Sequence, residues 1–177
     1  MTMTSQDLQT RLGGIKLLVL DVDGVLTDGR VTYGDEIEWQ AFNVKDGLGL
    51  NLLQRGGLHV AWITGRGCVA TERRAAELGI TELHMHAKNK LEILLDIQER
   101  LDVRSDETVV MGDDLPDLRM RPAAGVLACP ADAASEVLVT ADWISTRNGG
   151  QGAVRDVCEA ILKAQSLWAA LVVDVTT

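Results

Sequence analysis

The sequence predicts an α/β fold, a parallel sheet covered by helices on both faces, and three observations carry that prediction. Short, mainly apolar runs at residues 15–20, 58–63 and 108–111 have the length and aliphatic content of strands buried on both faces. Amphipathic stretches separate them, and strand–helix alternation builds a parallel sheet through crossover connections. Each run ends in a polar, glycine-containing segment, at the edge where open α/β sheets bind ligands.

The elements follow in order. A polar lead-in at residues 5–11 allows a turn or two of helix, and residues 15–20 form the first strand. Residues 29–42 read as a β-hairpin with Gly34-Asp35 at its tip, Val31 and Tyr33 alternating on one side and Ile37, Trp39 and Ala41 on the other. The loop Asn43-Val44-Lys45-Asp46-Gly47 leads into a helix through Leu48, Leu52 and Leu53, capped by Asp46 and ended by Gly56-Gly57. Residues 58–63 form the second buried strand, followed by Thr64-Gly65-Arg66-Gly67.

Residues 69–78 are helical and stopped by Gly79. Residues 83–86 form a short strand, and 88–101 an amphipathic helix with Leu91, Leu94, Leu95 and Ile97 inward. The strand at 108–111 ends in Gly112-Asp113-Asp114, with Pro116 opening a short helix. The last strands are expected at 125–128 and 141–144, with a helical stretch from Asp132 between them. A glycine-rich loop, Gly149, Gly150 and Gly152, precedes a final helix at 153–164. The apolar tail that follows either packs on the core or meets another subunit.

Composition narrows the function. The chain has 177 residues, 46% hydrophobic and 24% charged, which suits one globular domain spanning residues 1–177. A net charge of −9 excludes a protein built to grip a nucleic-acid backbone. The polar opening residues read as no secretory signal, and no apolar run is long enough to cross a bilayer, so no membrane partner is expected. Cys68, Cys129 and Cys158 are odd in number and lack metal-ligand spacing, as free thiols of a cytoplasmic protein would be.

Chemistry gathers at the strand ends. The first strand delivers Asp21 and Asp23 into a turn at Gly24, the second delivers Thr64, and the strand at 108–111 delivers Asp113 and Asp114; Lys90 stands at the head of a helix. Singly these are ordinary: a solvated turn, a loop threonine, a surface lysine. A parallel sheet brings them to one edge, where carboxylates without softer ligands suit a hard cation, and Mg²⁺ is the one that accompanies phosphate. Such a cation lets an acidic site accept a phosphate. One aspartate then attacks phosphorus, Asp23 protonates the leaving oxygen and later deprotonates water, and Thr64 and Lys90 hold the phosphoryl oxygens.

Other features have plainer readings. His84 and His86 are too few for a zinc site, Tyr33 and Trp39 suit packing, and Arg73 and Arg74 suit a solvated helix face. Rival classes fit less well. A dinucleotide-binding protein would carry G-x-G-x-x-G after the first strand. A receiver domain needs no acid/base beside its phosphorylated aspartate, and a dehalogenase would lack the second acid. A non-catalytic phosphate-binding module is the remaining alternative.

The segments DVDGVLT (21–27), ITGR (63–66), Lys90 and MGDDLPD (111–117) resemble, in order, the four motifs of the haloacid dehalogenase-like phosphatases. That resemblance implies a Rossmann-like sheet, with Asp21 as nucleophile, Asp23 as acid/base, and Thr64 and Lys90 as phosphate holders. It also implies Mg²⁺ on Asp21, the backbone carbonyl of Asp23, and Asp113. The small hairpin in place of a cap domain, the segment at 41–49, NKL (89–91) and the run NGGQGAVRDVCEAIL resemble the subfamily of 3-deoxy-D-manno-octulosonate 8-phosphate phosphatases. These are capless enzymes of lipopolysaccharide sugar biosynthesis, forming homotetramers in which the hairpins build a barrel and neighbouring subunits shield each site. The resemblance implies a phosphorylated sugar acid as substrate, contacted by Asn43, Lys45, Asp46, Gly47, Arg66, Arg74 and Asp114, with Asn51 counted among them. Lys45 and Asn51 stand where members carry arginine, whose planar fork neither residue reproduces. The substrate therefore stays open between the eight-carbon acid phosphate and a nine-carbon, sialic-acid-like one.

Overall fold

A computed structural model describes residues 5–35 and 38–176. Six strands form one parallel sheet: β1 (Leu17–Leu20), β4 (His59–Ile63), β5 (Glu82–His84), β6 (Thr108–Met111), β7 (Val126–Cys129) and β8 (Trp143–Ile144), in the order β5-β4-β1-β6-β7-β8. Two short antiparallel strands, β2 (Thr32–Tyr33) and β3 (Glu38–Trp39), make the hairpin, whose Ile37 lies outside the described residues. Strand β1 sits between β4 and β6, with Leu20 opposite both Trp62 and Met111, so Asp21 leaves the sheet at its centre.

Side-chain alternation supplies both faces from the same strands. Leu18, Leu20, Val60, Trp62, Val109 and Met111 enter one core, with helices α1 (Ser5–Gly13), α2 (Val44–Arg55) and α6 (Ala153–Ala164). Leu17, Val19, Ala61, Ile63 and Val110 enter the other, under α4 (Lys90–Leu101) and a 3-10 helix (Leu115–Ala123). Each such fully buried aliphatic side chain contributes about 1.5–3 kcal/mol relative to exposure. Helix α3 (Val69–Glu77) follows β4, and α5 (Ser135–Thr140) follows β7.

Three local expectations are corrected. Asn43, not Asp46, caps α2: its Oδ1 accepts from Lys45 N at 2.9 Å. Asp46 is buried and turned away, with Oδ1 accepting from Arg155 N at 2.7 Å in the first turn of α6, so it caps a helix remote in sequence. Leu95 is 48% exposed, while Gln98 takes the inward place on α4 and donates to Thr108 Oγ1 and the Ala123 carbonyl. The tail forms a further helix, α7 (Trp168–Thr176), so α6 is not the last. Leu167, Trp168 and Leu171 pack on the core, Arg155 and Lys163 lie over the Trp168 ring, and Arg55 pairs with Asp174. Among the described residues no helix is long and apolar enough to cross a membrane.

Candidate active site

The turn after β1 is shaped by its own sequence. Asp21 N still donates to the Met111 carbonyl at 3.0 Å, which holds the nucleophile candidate to the end of β6. The chain then winds back, with Leu26 N and Thr27 N on the Val22 carbonyl at 2.9 and 3.0 Å. Thr27 Oγ1 seals the turn by accepting from Gly24 N and Gly29 N, each at 3.3 Å. Gly24 has φ +92°, and a Cβ there would collide with the Asp113 carboxylate; a Cβ on Gly149 would collide with the Gly24 carbonyl. The two aspartate-bearing loops and the glycine loop before α6 therefore touch backbone to side chain and backbone to backbone.

Asp21 lies at the base of the resulting cleft, 8% exposed. Lys90, the first residue of α4, points its ammonium at Asp21 Oδ1 (2.9 Å) and at Asp117 Oδ1 (2.7 Å). Asp117 Oδ2 accepts from Asp113 N and Asp114 N at 3.1 and 3.3 Å, folding the loop after β6 around its own carboxylate. Asp23 is held separately: Thr64 Oγ1 donates to its Oδ2 at 3.0 Å and Gln40 Nε2 to its Oδ1 at 2.9 Å. Arg66 approaches Asp23 Oδ1 at 3.8 Å and pairs with Glu38 at 2.9 Å.

Asp21, Asp113 and Asp117 each offer a carboxylate oxygen within 4.8 Å of the others. Asp117 has already committed both oxygens to Lys90 and two backbone N–H groups. Asp113 Oδ1, by contrast, is buried and accepts no hydrogen bond among the described residues, and Asp21 Oδ1 meets the Lys90 ammonium alone, at 2.9 Å. An orphaned Asp113 oxygen within 4.8 Å of the Asp21 carboxylate fits a hard divalent cation, and Mg²⁺ is the cofactor this donor set suits.

The electrostatics agree. Burial, then the neighbouring Asp117, pushes Asp21 up to about 7 even though Lys90 opposes the shift. Burial, then Asp21, Asp117 and Asp114, pushes Asp113 up to about 8. Burial works against the Lys90 charge, but Asp21 and Asp117 outweigh it and hold the ammonium protonated. The site thus carries more acid than its one buried lysine balances.

A cavity of about 420 Å³ opens above these groups, and Asp21, Asp23, Thr64, Arg66, Lys90, Asp113, Asp114 and Asp117 all line it. All four catalytic candidates are brought together. Of the substrate candidates, Arg66 and Asp114 line the cavity, and Asn43, Lys45, Asp46, Gly47, Asn51 and Arg74 do not. Asn43 is occupied as the α2 cap and donates to the Gly150 carbonyl at 3.3 Å. Asp46 caps α6, Arg74 pairs with Glu77 over the bare face of Gly47, and Lys45 and Asn51 project from α2 into solvent.

Sequence reasoning quoted Asp117 within its motif but gave it no task, placed Lys88 beside Lys90 at the same edge without a role, and overlooked Gln40 and Arg119. The Asp-x-x-Asp spacing of Asp114 and Asp117 over Pro116 is a capping-box signal that marks Asp117 as an inward acceptor. Lys88 and Arg119 line the cavity and form no ion pair among the described residues, a combination that only the folded chain reveals.

The sequence model of a family described as haloacid dehalogenase-like hydrolase matches residues 78–157. The 3-deoxy-D-manno-octulosonate 8-phosphate phosphatase of Escherichia coli is 40% identical over 162 residues, covering 91% of this chain and 86% of the relative. The chain belongs to the haloacid dehalogenase-like hydrolases. Solved structures agree on this hydrolase. The 3-deoxy-D-manno-octulosonate 8-phosphate phosphatase of Moraxella catarrhalis, in complex with magnesium, phosphate and KDO, superposes with a TM-score of 0.94 at 38% identity. That match covers 97% of this chain and 99% of that one. The Yersinia pestis phosphatase gives a TM-score of 0.92 at 37% identity, covering 94% and 90%. The Rossmann-like sheet and the recognition of the family by its motifs are thereby borne out.

Proposed function

We propose that this hydrolase is a Mg²⁺-dependent phosphomonoesterase that converts 3-deoxy-D-manno-octulosonate 8-phosphate to the free sugar acid and phosphate, in lipopolysaccharide sugar biosynthesis. One observation carries the reading. Asp21 meets Lys90 on one side and the orphaned Asp113 oxygen on the other, while Asp23 is tied to different groups in the same cavity. Similarity to the Escherichia coli and Moraxella catarrhalis phosphatases supports the substrate.

Asp21 attacks phosphorus through a carboxylate oxygen, and the bond from phosphorus to the sugar oxygen breaks. Asp23 gives its proton to that oxygen, which is too basic to leave unprotonated. The aspartyl phosphate on Asp21 is then attacked by water, whose proton passes to Asp23, restoring both acids as phosphate departs. Asp21, Asp113 and the Asp23 carbonyl would hold Mg²⁺, which when bound offsets the charge of the acids and the phosphoryl oxygens. Lys90, whose ammonium already reaches Asp21, would hold a phosphoryl oxygen. Thr64 joins it only by turning its single hydroxyl proton away from Asp23.

Arg66, Lys88 and Arg119 line the cavity beside these acids and suit the carboxylate at the far end of the substrate. The same reading takes the 177 residues as one domain of a cytoplasmic homotetramer. Its support is the hairpin, which leaves Tyr33 76% and Trp39 60% exposed beside an open site. Phosphate release should require Mg²⁺, vanish in Asp21→Asn, and be faster in kcat/KM on the eight-carbon acid phosphate than on nine-carbon or simple sugar phosphates. Equal rates on all three would reject the substrate assignment. Sedimentation of a fully active monomer would reject the tetramer.

A further inference from the structure

Asp23 is the acid/base of the proposed reaction, and its grip on the fold is unusual in one respect: half of it comes from the hairpin. Gln40, immediately after β3, donates from Nε2 to Asp23 Oδ1 at 2.9 Å. Its own carbonyl oxygen accepts twice from the start of α3, from Thr71 Oγ1 at 2.6 Å and from Cys68 Sγ at 2.9 Å. The direction of the amide is set by chemistry, because a carboxylate only accepts and would repel the amide oxygen. Thr71 is 1% exposed, so the far end of this chain of hydrogen bonds is anchored in the protein interior.

The remaining groups on Asp23 have other duties. Thr64 supplies the second hydrogen bond to Asp23, at 3.0 Å, but it spends that proton on a phosphoryl oxygen when substrate arrives. Arg66 stands at 3.8 Å, beyond hydrogen-bond reach, and is engaged by Glu38. With Thr64 turned to substrate, the Gln40 amide is the one side-chain hydrogen bond described here that still fixes the Asp23 carboxyl plane.

We propose that Gln40 is a positioning residue that aims Asp23 at the leaving oxygen, with Thr71 and Cys68 holding its amide. The proposal rests on the assignment of Asp23 as acid/base, and its signature is selectivity by leaving group. A sugar alkoxide needs the Asp23 proton to depart, whereas p-nitrophenolate leaves without it. Misaiming the acid therefore slows phosphoryl transfer from the sugar ester and spares transfer from p-nitrophenyl phosphate, while the later hydrolysis of the aspartyl phosphate, which also uses Asp23, is shared by both.

The test compares wild type with Gln40→Met, which keeps the volume and removes both amide functions, and with Thr71→Val, which removes one anchor. Phosphate release is followed from 3-deoxy-D-manno-octulosonate 8-phosphate and p-nitrophenolate release from p-nitrophenyl phosphate, with melting temperatures recorded for each protein. Gln40→Met should lower kcat on the sugar ester about tenfold to a hundredfold, with KM within about twofold, since positioned proton transfer contributes on the order of 10²–10⁴ in rate. The first-turnover burst of p-nitrophenolate from p-nitrophenyl phosphate, which precedes the shared hydrolysis step, should stay within about twofold in rate, and Thr71→Val should show the same pattern more weakly. An equal loss in the p-nitrophenolate burst and on the sugar ester would mean that Gln40 only supports the fold, and no loss on either would mean that Asp23 needs no such aim; both overturn the proposal. Failure of the wild type on the sugar ester alone would instead remove the substrate, and the comparison would run on any alkyl phosphate it does cleave. Failure on every ester would overturn both readings.

Discussion

Lys90 and Asp117 form an ion pair sealed from solvent, Nζ to Oδ1 at 2.7 Å, with 7% and 1% of the side chains exposed. The same ammonium faces Asp21 at 2.9 Å, so one cation serves two acids from different loops. Removing one partner of a buried pair costs about 3–5 kcal/mol, because a charge is left uncompensated. Lys90→Met should therefore lower the unfolding free energy of the metal-free protein by about that amount and reduce kcat at least about a hundredfold. Urea unfolding with a chelator present, beside phosphate release, measures both. An unchanged stability would show that the acids take up protons instead of carrying charge.

Metal removal should matter more at high pH. Burial and neighbouring acids raise Asp21 to about 7 and Asp113 to about 8, above the range of an unfolded carboxylate. Between about pH 4 and 8 the folded, metal-free protein keeps protons that the unfolded chain has lost, so its stability falls as pH rises. Mg²⁺ needs the ionised carboxylates and removes that loss. The rise in Tm on adding a fixed Mg²⁺ concentration should be larger at about pH 8.5 than at about pH 6, and an equal rise at both would contradict the arrangement.

Arg119 and Lys88 test where the substrate's carboxylate lies. Both line the cavity and neither has an ion pair among the described residues. Arg119→Ala should raise KM for the sugar acid phosphate about fivefold to twentyfold with kcat little changed, the range expected for an exposed charge-assisted hydrogen bond. Lys88→Ala should do the same less strongly. Glycerol phosphate, which has a phosphate and no carboxylate, is the control; a matching rise there would assign both cations to the phosphate instead.

Glu82 in β5 ties the sheet edge to α4. Hydrogen bonds from Arg100, at 2.8 and 2.9 Å, hold its carboxyl down at about 2 against the opposing effect of burial, with His84 adding to the shift. A depressed carboxylate stabilises the fold above its unfolded value near 4.5 and loses that contribution as pH falls towards 2. Glu82→Gln should flatten the fall of Tm over that acid range and change little at neutral pH, because Arg100 is solvent-screened. Melting curves across the range would show it.

Asp21, Asp23, Thr64 and Asp113 were legible in the sequence because each follows an apolar run directly, and a buried parallel strand leaves its next residues only one place to go. Lys90 was legible only in company with the strand-end acids, since a lysine at a helix start reads by itself as a surface residue. Asp117 acts through a 3-10 turn that returns its carboxylate to the Asp113 and Asp114 amides, a local geometry that strand-end reasoning passes over. Gln40 leaves a hairpin whose landing point no periodicity encodes. Asp46 looked like a cap for its own helix and instead caps α6, since burial against a remote helix terminus outweighed the local option. The tail's apolar pattern allowed packing or assembly, and the Trp168 ring under Arg155 and Lys163 accounts for the first.

The contact of Gly149 with the Gly24 carbonyl, and of Gly24 with the Asp113 carboxylate, has an evolutionary corollary. Three segments far apart in the chain are separated by single hydrogen atoms, so the spacing between the two metal-facing acids is gauged by bare main chain. Neither glycine is free to drift: the smallest added side chain at either would wedge apart loops that must close on one ion.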